Sequence, residues 1–294
     1  MRVAQVVNSS QPIALSSLAS DRELASDVQD CLVKYSLLDP PLDGEFGAVS
    51  NWALSEFCAQ KDIDIGRGLD SRLARELLSA AGKPLPLFPG TDLAGRIAQA
   101  MIQLRYWINK HPKCMNIVYV EGMNVDGTKN DNKPNRFNDC RCLLAINKSG
   151  KPLLSGVWKG TTEPSKYWTE NPMNKRGAAR IAFGQYKSWS VGWYHGYEVL
   201  RQAKDVTVYR DLNRDYVRTG DKTYTGMFGI HHHWGNDLPD NNLGHSSAGC
   251  LVGQKRAEHK EFMKLIKADP RYSKATNAYR FMAAVLPYNA LPQT

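Results

Sequence analysis

The stretch Gly229-Ile230-His231-His232-His233-Trp234-Gly235 is followed, twelve residues after Gly235, by Ser247-Ala248-Gly249-Cys250-Leu251-Val252. The first part reads as an apolar-flanked strand that ends in histidine, and the second as a tight turn with glycine just before a cysteine. Thiol chemistry needs a thiolate, a base that makes it, and backbone N–H groups that hold an oxyanion. This segment offers all three. Cys250 is the candidate nucleophile, and the N–H groups of Gly249 and Cys250 are candidate oxyanion donors. Ser247 is placed to orient the turn or the substrate. Alternate side chains of a strand face opposite ways, so Phe228, Ile230 and His232 share a core-like face, and His231 and His233 share the other. His233, at the strand end, is the preferred base and His231 the second candidate. An imidazole so close is expected to lower the thiol pKa.

Around this segment the chain reads as β-rich. Short strands are predicted over 116–120, 140–146, 152–158, 178–183, 205–209, 227–233 and 278–286, separated by Gly, Asn, Asp and Pro clusters, with a helix over 255–268. The long polar loops 123–138 and 160–177 are expected to be functional or mobile. Trp193-Tyr194-His195-Gly196 could line a groove. Asp211-x-Asn213-x-Asp215 has the alternating oxygens of a calcium loop but lacks its Gly and distal Glu, so a polar turn is expected.

The N-terminal part reads differently. Ser20-Asp21-Arg22-Glu23 has the pattern of a capping box, with Ser20 as N-cap. Leu24, Val28, Leu32 and Tyr35 then recur at helical spacing, and Asp39-Pro40-Pro41 ends the helix. Asp43-Gly44 makes a turn. Ser50 is expected to cap a second helix with Ala53, Leu54 and Phe57 on its buried face. Residues 81–92 hold three prolines and two glycines and read as a stiff linker. Beyond it Leu93, Ile97, Met101, Leu104 and Ile108 predict an amphipathic helix.

Two family resemblances follow from these residues. Asp43-Gly44-Glu45-Phe46-Gly47, with Ser50, Ala53-Leu54 and Phe57, resembles the repeat of the peptidoglycan-binding domain. That resemblance implies a wall-binding role around Asp43, Gly44, Phe46 and Gly47. The histidine strand followed by Ser247-x-Gly249-Cys250 resembles the motif of the L,D-transpeptidases, a histidine, a spacer, then Ser/Thr-His-Gly-Cys. Thirteen residues separate His233 from Ser247 and fifteen separate His231 from it, which leaves both histidines open. The family implies a sandwich-type, mostly β catalytic domain whose cysteine attacks the stem peptide of peptidoglycan after meso-diaminopimelate. Ala248 stands where the family has histidine, with His245 nearby, and Leu251-Val252-Gly253 replaces its usual continuation. Variants from phage and from interbacterial toxins share Ser-x-Gly-Cys. His245 and Trp234 are candidate substrate contacts.

Composition narrows the classes. The net charge of +9 over 294 residues favours a polyanionic partner, yet the basic residues are scattered, so nucleic acid is not expected. No apolar run is long enough for a membrane span, and residues 1–20 lack the continuous apolar region of a secretory signal. The six cysteines form no CxxC pair and read as buried thiols, with a Cys31–Cys58 bridge conceivable. The resulting expectation is an α+β chain: an arm over 1–19, a three-helix peptidoglycan-binding domain over 20–80, a linker over 81–92, and a catalytic domain over 93–294. It is expected to be made in the cytoplasm, to act on the bacterial cell wall after holin-type release or secretion, and to need no metal or cofactor. Hydrolysis is favoured over cross-link formation. Two alternatives stand beside this reading. One is a zinc peptidase or amidase using His231, His233, His245, Asp237 and Cys250; the other is a wall-binding protein without catalysis.

Overall fold

In the computed structural model, which describes residues 1–276 and 278–293, five helices come first. They are α1 (Val3–Val6), α2 (Leu15–Leu18), α3 (Arg22–Lys34), α4 (Ala48–Gln60) and α5 (Ser71–Ala81). Helix α6 (Leu93–Gln103) leads into β1 (Asn116–Glu121), β2 (Asp139–Ile146) and β3 (Pro152–Thr161). Then follow α7 (Lys166–Glu170), β4 (Ala178–Ile181), β5 (Gly184–Tyr194), β6 (Tyr197–Gln202), β7 (Val206–Asp211) and β8 (Lys222–Gly226). The chain closes with β9 (His232–Trp234), β10 (Leu251–Gly253), α8 (Arg256–Lys267), α9 (Pro270–Ser273) and β11 (Phe281–Pro287). The fold is mixed α+β.

The expected sandwich is instead a closed eight-stranded barrel, in the order β1-β11-β5-β6-β9-β10-β3-β2, beside a separate sheet β4-β7-β8. Two parallel pairings, β1 with β11 and β9 with β10, join edges that a sandwich would leave open. Strand β1 shows why its sequence is continuously apolar. Ile117 and Tyr119 face the barrel interior, while Val118 and Val120 pack under α6 with Ile97 and Met101. Cys140 and Cys142 share that outer face, as their spacing predicts. Inside the barrel the Arg141 guanidinium lies 4.2 Å from the Phe262 ring centre, within cation–π range.

The predicted strand over 227–233 forms only from His232 onward. Gly229 has a left-handed φ of +72°, and the Gln202 side chain takes the place of the ladder. Its Oε1 accepts from the N–H groups of Phe228 and Ile230 at 3.0 and 2.9 Å. The hairpin β5–β6, with His195 and Gly196 at left-handed φ in its turn, carries no clean alternation to read, because its strands are largely half-buried and mix aromatic residues with polar ones and glycine. The three-residue β10 has too little pattern to read, and β8 is largely exposed.

The arm over 1–19 is part of the helical core: Val3, Val6 and Leu18 are fully buried with Leu24, Val28, Leu32 and Phe57. The N-cap of α3 is Asp21, not Ser20; its carboxylate accepts from the Leu24 N–H at 3.0 Å. Ser36, at φ +74°, follows the end of α3 before the prolines are reached. Helix α4 starts at Ala48, so Ser50 lies inside it and accepts from Gln29 instead.

Segment 81–92 is docked rather than free. The Leu85 N–H donates to Tyr35 O and the Phe88 N–H to Gly150 O. A buried junction joins the helical unit to the barrel. Arg271 Nη1 lies 2.7 Å from Asp39 Oδ2 and Nη2 lies 2.6 Å from Asp269 Oδ2. Asp39 also accepts from Tyr279, Asn109 and Trp107. Burial is the largest influence on Asp39 and opposes its charge, but Arg271, Lys187 and the hydrogen bonds from Asn109 and Tyr279 together outweigh it and hold the carboxyl below its usual range. All six cysteines are free thiols, Cys31 and Cys58 included. Among the described residues no helix is long and apolar enough to cross a membrane.

Arg271→Met leaves two buried carboxylates without their cation and is expected to cost about 3–5 kcal/mol. Urea unfolding measures this, and a loss under about 1 kcal/mol would show that the junction tolerates unpaired carboxylates.

Candidate active site

The turn before Cys250 is built from side chain to backbone. Ser247 Oγ lies 2.8 Å from Glu163 O and 3.1 Å from Cys250 O, and it accepts from the Gly249 N–H at 3.2 Å. Gly249 has φ +124°, and a Cβ there would lie 2.3 Å from Ala179 O, so only glycine fits. Ser247 Oγ therefore ties the backbone of Glu163, Gly249 and Cys250 together. The Gly249 N–H, expected as an oxyanion donor, is already committed to Ser247. The Cys250 N–H has no acceptor among the described residues and is the donor left for an oxyanion.

The parallel register pairs His232 with Leu251 and His233 with Val252. It sets His231 opposite Cys250, and His233 one diagonal step further. The two imidazoles are held in opposite tautomers. His231 Nδ1 accepts from the Gln202 N–H at 3.0 Å, so a neutral ring carries its proton on Nε2. His233 Nδ1 lies 2.9 Å from Trp234 O, so it carries the proton and Nε2 is left as an acceptor. His232 is fully buried against Trp189 and Tyr119, as its face predicts. The Tyr194 ring lies 4.9 Å from His231 and 6.0 Å from His233, centre to centre.

The thiol is not a preformed thiolate. Cys250 Sγ lies 3.4 Å from Gly229 O, to which a protonated thiol donates, and 3.5 Å from the His231 N–H. Burial pushes the Cys250 thiol up to about 11, partly offset by that N–H. Burial pushes His233 down to about 4, helped by the charge of Arg141, and His231 also to about 4, helped by Arg201. Neither His231 nor His233 is an imidazolium near neutral pH that would hold a thiolate. The expected lowering of the thiol pKa is therefore reversed, because burial dominates both partners.

Cys250, His231 and Tyr194 share a cavity of about 600 Å³, walled by Trp168 from the 160–177 loop, by Ala179 on β4 and by Arg210 on β7. His233 does not line it. A second groove of about 560 Å³, lined by Trp193, Tyr197, Trp234 and Lys264 among others, contains neither Cys250 nor His231. Trp234 thus lies away from the thiol. His245 is stacked on Tyr167 at 3.9 Å, and its carbonyl accepts from Trp168 Nε1 at 3.0 Å. It braces the rim rather than the cavity floor.

Behind the turn lies a buried charge cluster with no local sequence signal. Arg180 Nη2 is 3.0 Å from both Glu121 and Glu163, and Arg218 pairs with Glu121 at 2.6 Å. Thr162 Oγ1 bridges Glu121 and Asp139. Three carboxyls face two guanidiniums, so one carboxyl is best kept protonated. Burial, with the nearby Asp139 and Glu121, pushes Glu163 up to about 8 despite Arg180.

Among the described residues no three of His, Cys, Asp and Glu are grouped to hold a metal ion, so the zinc set of His231, His233, His245, Asp237 and Cys250 is not assembled. Asp211 accepts from the N–H groups of Asp215 and Tyr216, a polar turn as expected. In the helical unit Asp43 accepts from Gln29, Gly44 sits at φ +71° against Ser26, and Phe46 packs on the core. Gly47 is the N-cap of α4. These four residues shape a turn and a helix start.

No family model matches the chain, and no curated protein or solved structure matches it either. The two resemblances therefore rest on the quoted residues.

Alkylation of Cys250 by iodoacetamide, followed by peptide mass mapping, should rise about tenfold per pH unit between about pH 7 and pH 10. A plateau below about pH 8 would reveal a stabilised thiolate instead. Glu163 releases its proton near 4.5 when unfolded but only near 8 when folded. The folded state is therefore destabilised as pH rises through that window. Asp139, pushed up to about 7 by burial and Glu121, adds a slope of the same sign, so Glu163→Gln should lose only the Glu163 share, and raising the pH from about 5 to about 8 should lower the urea midpoint of the wild type more than that of the variant.

Proposed function

We propose that the chain is a cysteine-dependent peptidoglycan peptidase, acting at the bacterial cell wall on the carbonyl of a diaminopimelate-type stem peptide. The observation that supports this reading is the strand register, which sets Cys250, with its unengaged N–H, opposite His231 and on the same strand face as His233, two imidazoles in complementary tautomers.

The chemistry follows from those tautomers. Cys250 Sγ attacks the carbonyl carbon as its proton passes to Nε2 of His233, the ring nitrogen left as an acceptor, which must come to the cavity wall it does not line at rest. The developing oxyanion takes the Cys250 N–H and the Nε2–H of His231. Collapse of the tetrahedral intermediate breaks the C–N bond. The protonated His233 gives its proton to the departing amine, leaving a thioester on Cys250. Water, deprotonated by the same imidazole, then releases the acid and restores the thiol. An amine in place of water gives a cross-link, and product masses distinguish the two. With both partners neutral at rest, proton transfer accompanies attack rather than preceding it. The net charge of +9 suits approach to a polyanionic wall. The helical unit is proposed to hold that wall through the turn at Asp43 and Gly44.

Mass spectrometry of diaminopimelate-type peptidoglycan after incubation tests the reading. Wild type should release stem-peptide products in the presence of EDTA, and Cys250→Ala should release none. His233→Ala should slow the reaction by about 10²–10⁴-fold, and His231→Ala by about 10²–10³-fold. Products surviving in Cys250→Ala, or none from wild type, would overturn the proposal; a milder loss in His233→Ala than in His231→Ala would exchange the two roles.

A further inference from the structure

We propose that Arg176 and Arg210 form a carboxylate-binding subsite in the Cys250 cavity and select acyl donors with a free carboxylate. The proposal rests on the peptidase reading for its substrate class, and on the cavity alone for its chemistry.

Both residues line the cavity that holds Cys250 and His231. Strand pairing fixes how close Arg210 comes to the nucleophile. Arg210 is opposite Ala179 across β4 and β7, and the Ala179 carbonyl is the group that a Cβ on Gly249 would strike. Gly249 immediately precedes Cys250. Each guanidinium is held in place by an aromatic face: Arg176 lies 5.0 Å from the Tyr224 ring centre and Arg210 lies 5.1 Å from that of Phe228. Arg210 Nη1 also donates to Gly177 O at 3.1 Å, which ties it to the backbone next to Arg176.

The two cations repel one another. Arg210 is pushed below its ordinary value first by burial and then by the charge of Arg176. Among the described residues no carboxylate forms an ion pair with either. By contrast Arg180, Arg218 and Arg271 are each paired with buried carboxylates. Two adjacent, positioned guanidiniums without an anion, in the wall of a cavity that carries a nucleophile, form a fork for a planar oxyanion. A peptide substrate supplies such a group as a side-chain or terminal carboxylate near the reacting carbonyl. Binding at the fork neutralises the pair and orients the donor over Sγ.

Calorimetry on the full-length Cys250→Ala protein tests this without turnover. The probes are a stem tetrapeptide with a free diaminopimelate side-chain carboxylate and the same peptide with that group amidated. The free acid should bind about tenfold or more tighter than the amide. Arg176→Gln, an exposed change that leaves the fold intact, should remove most of that preference while leaving amide binding unchanged. Arg210→Lys should keep part of it, since the charge remains but the fork is lost. No measurable binding of the free acid, equal affinity for acid and amide, or a preference that survives Arg176→Gln would overturn the subsite. If the free acid binds preferentially but wild type never cleaves it, the subsite stands and the peptidase reading falls.

Discussion

Arg271 leaves α9 into a space closed on one side by Asp269 and on the other by Asp39, a residue that follows α3 and is more than two hundred positions away in sequence. Tyr279, Asn109 and Trp107 complete the shell around Asp39. Such an arrangement contributes little net stability compared with an apolar plug, but losing one member is costly because the rest stay buried and charged. It therefore acts as a constraint of geometry. The connection over 104–115, the start of β1 and helix α9 must all meet at one point. There Met115 O accepts from Arg271 Nη2 at 2.7 Å. The barrel then closes through β1 and β11, whose parallel pairing begins beside this junction.

What the sequence made legible was local. Helical spacing in Leu24, Val28 and Leu32, the continuous apolar run of β1 and the glycine before Cys250 each act within a few residues, and each has the expected place. Boundaries set by distant partners were not legible. The strand expected from Met227 starts five residues late because a glutamine from β6 occupies its ladder. The arm over 1–19 carries only a few apolar residues, yet these fill a core made by later helices. Of the site, the thiol, the two histidines and the orienting serine could be read from one segment. The Glu163 cluster and the Arg176–Arg210 pair could not, since their members come together only through strand pairing.

The protonation states separate two ways of running a thiol. A charged thiolate–imidazolium pair needs solvent or a third group to carry its field. Here the thiol is tucked against a carbonyl, His233 is buried and His231 half-buried, with Arg141 adding positive charge on the inner side of β9. Neutral partners are the less costly state in such surroundings. The same rule acts behind the turn, where three carboxyls share two guanidiniums and Glu163 retains its proton. Ser247 touches the Glu163 carbonyl, so the turn that carries Cys250 rests on a cluster that is itself close to neutral.

The docking of residues 81–92 changes what the helical unit can be. A loose tether multiplies encounters according to its length and slack. This segment has no slack, since Leu85 and Phe88 are bonded on either side of it and Arg271 locks the far edge. The helical unit is a strut with a fixed bearing. A polymer held at the Asp43 turn, which shares a pocket with Lys187 and Arg280 beside the barrel, would meet the Cys250 cavity at a fixed bearing. The bonds brought within range would then be chosen by the polymer's own spacing and curvature, as a jig chooses where a blade falls.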